Sequence, residues 1–157
     1  MLLNMVYNNI YYDIVEESKI RTPNVYYPLV FSSSFFISPI ISAISKQLWH
    51  FVLLATLTTF FSINHWRDVR IGPRRTMDLL FAKLSFCIYA ISGFIYIRKG
   101  IIWDISIINT LFMISFYMIS NSIRNANFNN KLWVASHFIF HMHVAIQQNI
   151  IVSSIKN

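Results

Sequence analysis

An all-α integral membrane helical bundle of about five transmembrane helices is the fold class this sequence predicts, and three observations lead to it. Hydrophobic residues make up 55% of the chain and charged residues 12%, a balance too apolar for an ordinary water-soluble domain. The apolar residues gather into five runs, each close to the roughly 20 residues a spanning helix needs. Basic residues lie between the runs, as they do beside membrane helices, rather than on one stripe. The chain divides into an N-terminal polar, amphipathic tail over 1–26 and a transmembrane helical domain over 27–157.

In the tail, Leu2, Leu3, Val6, Ile10 and Ile14 recur at helical spacing among Asp13, Glu16, Glu17, Lys19 and Arg21. That pattern predicts a short helix lying on the bilayer and ending before Pro23. No basic segment precedes an apolar core with a small-residue cleavage site, so no signal peptide is expected.

The first run, 27–44, contains Ser32, Ser33, Ser34 and Pro39. The serines lower its hydrophobicity and the proline predicts a kink, so this segment either crosses the bilayer or re-enters it. The second run covers 47–64 and the third 76–97. The fourth, 101–120, has Asp104 near its start, close enough to Arg98 and Lys99 to pair with them at the interface, and Asn109 within it. The fifth covers 132–153. Cys87 is the one cysteine and sits in an apolar run, which excludes an internal disulfide and makes the thiol packing material.

Orientation follows from the basic residues. Lys19, Arg21, Arg67, Arg70, Arg74, Arg75, Arg124 and Lys131 fall on one side of a five-span chain, and Lys46, Arg98, Lys99 and Lys156 on the other. Eight against four places the N-terminus in the cytosol. The net charge of +7 is thereby accounted for at membrane interfaces, and nucleic acid is not expected as a partner. The lipid bilayer is the expected partner; oligomeric state is not legible.

Against this apolar background the histidines stand out. His137 and His141 lie four apart in the fifth run, hence on one helix face, while His143 points elsewhere. Two imidazoles one turn apart suit a single zinc ion if further ligands arrive from other segments. In this topology the second run ends at Ser62 and His65, and the third begins near Asp78, at the same leaflet as His137 and His141. Thr58, Ser62 and His65 share one helix face, and Asp78, Ala82 and Ser85 another. Ionisable side chains inside a span are costly unless they face protein or water, which points to a polar pocket. The plainer readings are an Asp78 paired with Arg74 or Arg75 at a helix N-terminus, a His65 standing at the interface beside Trp66, and aromatic-like packing of the other two histidines.

A serine just before a histidine at the end of one helix, an aspartate at the start of the next, and His-x-x-x-His in the last helix resemble the CREST superfamily. That superfamily includes the alkaline ceramidases, the adiponectin and progestin receptors and the haemolysin-type membrane proteins. The resemblance covers residues 58–82 and 133–145. Here the chain has five runs where the family has seven spans, Ser62 stands three residues before His65 rather than four, and Asn64 replaces an aromatic. The resemblance implies zinc held by His65, His137 and His141, with Asp78 and Ser62 around the zinc-bound water. It implies a hydrolase of lipid amides such as ceramide, in which three neutral imidazoles leave zinc a position for water whose pKa falls to about 7. Asp78 would handle the proton and Ser62 would donate a hydrogen bond. Two other classes remain open: a small non-enzymatic membrane subunit or scaffold, and a haem protein with axial histidines from two spans.

Overall fold

Pro39 shapes the first helical segment. It has no N–H to give the Phe35 carbonyl one turn back, and its ring crowds that carbonyl. The computed structural model describes residues 27–67, 73–125 and 130–156, and it places the disturbance there. Helix α1 (Tyr27–Ser33) passes into a 3-10 turn (Ser34–Phe36) and resumes as α2 (Ile37–Ser45). The amphipathic helix expected in 1–26 lies outside the described residues.

At the end of α2 the chain reverses tightly. Leu48 N–H returns to the Ala43 carbonyl and Gln47 N–H to the Ile44 carbonyl, both at 2.9 Å. This closure needs one left-handed residue, and Gln47 supplies it at φ 57°. Four longer helices follow: α3 (Trp49–Arg67), α4 (Pro73–Tyr96), α5 (Ile101–Asn125) and α6 (Asn130–Ser154). Pro73 opens α4 where its missing N–H costs nothing. Between α4 and α5, Gly100 takes φ 146°, with nothing within 4 Å of a would-be Cβ. Backbone conformation, not crowding, calls for glycine there.

The chain is an all-α membrane protein. Among the described residues three helical segments, Tyr27–Ser45, Pro73–Tyr96 and Ile101–Ile123, are long and apolar enough to cross a bilayer. The helices α3 and α6 form over the other two expected spans, with 19 and 25 residues, but they carry more polar side chains. Their position explains the difference. Helix α6 packs against α1, α2, α4 and α5, and α3 packs against α1, α2 and α4, so both turn much of their surface to protein rather than to lipid. By contrast α4 and α5 leave Leu80, Phe86, Ile91, Phe94, Leu111 and Phe112 exposed, as lipid-facing helices do.

Two apolar clusters bracket the interior. Leu29, Trp66, Trp133 and Val134 close the end where α3 finishes and α4 and α6 begin. Phe51, Leu54, Tyr89, Ile97, Ile151, Val152 and Ile155 fill the other end. Between them lies a polar layer.

Candidate functional site

The polar layer is assembled from four helical segments, each delivering hydroxyl, carboxyl or imidazole groups to the interior. On α3, Thr58, Ser62 and His65 are all buried, at 6%, 3% and 4% exposure, because their spacing keeps them on the face toward α1 and α4. On α4 the inward line runs through Asp78, Ser85, Tyr89 and Ser92; Ala82 instead faces outward. The sequence places Ala82 with Asp78 by the four-residue step, but α3 meets α4 along the line that continues through Ser85 and Tyr89.

Ser62 donates a hydrogen bond to the Asp78 carboxylate, and the Arg75 charge, one turn earlier on α4, acts on the same group. One turn deeper, Thr58 Oγ1 and Ser85 Oγ meet at 3.1 Å. Thus α3 and α4 are joined by two polar pairs. The carboxylate expected from sequence does reach the serine expected from sequence.

Ser32 and Ser33 connect this pair to the histidines. Consecutive residues on α1 point about 100° apart, so one can face α3 while the other faces α6. Ser33 Oγ lies 3.0 Å from Ser62 Oγ. Since Ser62 commits its proton to Asp78, Ser33 is the donor, sharing its proton with the Leu29 carbonyl at 2.9 Å. Ser32 Oγ lies 2.8 Å from His141 Nδ1 and donates its own proton to the same Leu29 carbonyl at 2.9 Å. Either the hydroxyl, sharing its proton as Ser33 does, or the ring N–H can be the donor across that contact, according to the tautomer of His141. Both serines are fully buried. In the sequence they read only as a loss of hydrophobicity; a run of three hydroxyls in an otherwise apolar span was the available signal, because such groups need partners inside a bundle.

His137 and His141 stack with ring centroids 4.7 Å apart, as their four-residue spacing requires. His137 Nδ1 is 3.2 Å from Ser120 Oγ on α5, and Phe36 closes on His141 at 5.3 Å. The Trp66 indole contacts His65 at 4.6 Å on its own helix and His137 at 5.1 Å on α6. Aromatic contact through Trp66 thus links His65 to the pair. His143 turns to the other side of α6, sandwiched between Phe112 and Phe116 of α5 with centroids 5.6 and 5.7 Å away.

Whether this set suits zinc has two parts. The donor chemistry is suitable, for His141 and His137 each have Nδ1 at a serine hydroxyl, an outer contact that orients a ligating ring. The placement is not: among the described residues no three His, Cys, Asp or Glu side chains are positioned to hold one metal ion. The site as built offers an imidazole pair, His137 with His141, and a separate serine-carboxylate pair, Ser62 with Asp78.

A second polar seam joins α5 to α6. Asn109 Nδ2 donates to the His143 carbonyl at 3.0 Å and to Gln147 Oε1 at 2.9 Å, its Oδ1 accepts from His143 Nδ1 at 2.7 Å, and Gln147 Nε2 donates to Ser106 Oγ at 2.6 Å. Every member is satisfied, as a buried network in lipid demands. No known protein family, characterised protein or solved structure matches the chain.

Proposed function

We propose that the chain is a bilayer-embedded hydrolase of lipid amides, similar in its residue set to the CREST enzymes, working at the layer formed by Ser62, Asp78, His137 and His141. The observation that carries the reading is convergence. Ser62 and His141, singled out from separate stretches of sequence, are both buried, and each meets one of two consecutive serines of α1, Ser33 leading through Ser62 to Asp78 and Ser32 holding His141.

Hydrolysis adds the oxygen of water to the amide carbonyl, breaks the carbon–nitrogen bond and delivers a proton to the leaving nitrogen. Asp78 takes the proton from the attacking water and returns it to the amine. His141, its Nδ1 held by Ser32, fixes the water by a hydrogen bond through its other ring nitrogen. Ser62 orients the carboxylate and can turn its proton to the developing oxyanion. The apolar clusters on either side exclude bulk water and strengthen each of these contacts. Zinc on His65, His137 and His141 is what the family resemblance implies, and it requires side-chain rearrangement from the positions described. The basic asymmetry orients this end of the bundle, with the N-terminus, to the cytosol.

A second reading, a non-enzymatic membrane subunit or scaffold, is favoured by one feature. The hydroxyl pairs and the Asn109 seam all join neighbouring helices, which is what packing glue does in a bilayer. The two are separated by incubating the purified full chain with a panel of ceramides and N-acyl amines while its metal content is measured. Release of fatty acid that falls by a factor on the order of 10² to 10⁴ in Asp78→Asn, with helicity retained, is the hydrolase outcome. No release from any amide by the unmodified protein, with and without added zinc, is the scaffold outcome.

A further inference from the structure

The opposite end of the bundle carries a different kind of feature. An open pocket of about 450 Å³ lies between the α4–α5 turn and the end of α6, lined by Ile95, Tyr96, Ile97, Ile102 and Ser153 with Arg98 and Lys156 among them. A neighbouring pocket of about 360 Å³ shares Ile102 and Ser153 and continues along Ile105 and Ile150. Most of the lining is aliphatic, yet two cations stand at its mouth. Both are exposed, and among the described residues neither has an acidic partner.

We infer that this pocket binds an anionic phospholipid of the surrounding bilayer, its phosphate between Arg98 and Lys156 and an acyl chain against Ile95, Ile102 and Ile105. Three further features favour the anion. The first helical bond of α5 runs from Asp104 N–H to the Gly100 carbonyl at 3.1 Å, so the N–H groups of Ile101, Ile102 and Trp103 are left at the helix start, where they attract negative charge. The end of α6 would repel it with its free carbonyls, but Lys46 Nζ donates to the Ser153 and Ile155 carbonyls, both at 2.6 Å, and neutralises that end. Lys99 adds a third exposed cation beside Arg98, against Asp104 as the single exposed carboxylate side chain among the described residues. The local excess of positive charge selects an anionic headgroup over a zwitterionic one. Tyr96 and Trp103 stand at the same level, the depth at which aromatic side chains meet the bilayer surface. The inference is independent of the hydrolase reading, whose residues lie at the other end.

The test uses the purified full chain in nanodiscs of phosphatidylcholine alone and of phosphatidylcholine doped with phosphatidylglycerol, with retained lipid read by native mass spectrometry. One phosphatidylglycerol should be held per chain in preference to phosphatidylcholine. Arg98→Ala and Lys156→Ala should each reduce that preference about fivefold, Arg98→Lys and Lys156→Arg should keep it, and Arg67→Ala at the opposite end should leave it unchanged. An equal loss with Arg67→Ala would mean general attraction to an anionic surface and would overturn the site. So would absence of any preference, or release of the bound lipid by inorganic phosphate, which would make it a site for the free anion.

Discussion

Replacing Asn109 by Leu should loosen α5 from the rest of the bundle. Backbone approach between α5 and the other described helices is confined to α6, and Asn109 is the centre of the polar seam between them. The substitution removes three hydrogen bonds, from Nδ2 to the His143 carbonyl and Gln147 Oε1 and from His143 Nδ1 to Oδ1. Interhelical hydrogen bonds in membranes contribute on average ~0.6 kcal/mol each and at most ~1.7, so three amount to about 2 kcal/mol. His143 Nδ1–H and Gln147 Oε1 left unpaired raise the cost, while the apolar volume of Leu offsets part of it. Reversible unfolding in mixed micelles, followed by helical circular dichroism, reads the difference. Thr110→Val is the control, because Thr110 Oγ1 bonds only back to the Ser106 carbonyl of its own helix at 2.8 Å and should change stability by less than ~0.5 kcal/mol. An Asn109→Leu protein as stable as that control would refute the claim that hydrogen bonding holds α5 in place.

Ser32→Ala should cost ~1–3 kcal/mol, since His141 Nδ1 loses its hydrogen-bond partner in a buried site, whereas Ser34→Ala removes only a hydroxyl bonded to its own turn and should be near neutral in the same unfolding assay. Gly93→Ala places a methyl 3.4 Å from the Ile151 side chain, ordinary contact, and should stabilise α4 by ~0.5–1 kcal/mol; a loss of that size would mean that α4 and α6 approach more closely than described. Single cysteines at Ser18 and Ser154, introduced without Cys87, should label from opposite faces of the membrane. Labelling from one face would mean an even number of crossings.

Much of the fold was legible because hydrophobic run length and helical periodicity are local properties. The 3-10 turn at Ser34–Phe36 follows from Pro39 for the same reason. What could not be read were partnerships set by helix packing. Ser32 and Ser33 look like a weakness in the first span until α1 is seen lying between α3 and α6, where the two hydroxyls face different neighbours. The fourth run looks bland although Ser106, Asn109, Met113 and Ser120 form one buried line, since nothing in α5 alone says that Gln147 and His143 will meet it. His65, Asp78, His137 and His141 stand out by residue type and spacing. Their mutual arrangement does not, because Trp66, a large interfacial aromatic in the sequence, turns inward between α3 and α6.

Hydrolysis in water enriched in oxygen-18 tests the central claim most directly. The purified chain, reconstituted with a lipid amide whose fatty acid is resolved by mass spectrometry, should release acid carrying one heavy oxygen, and Asp78→Asn should release it more slowly by a factor on the order of 10² or more. Unlabelled acid, or equal rates from the two proteins, would contradict an attack by water assisted at Asp78.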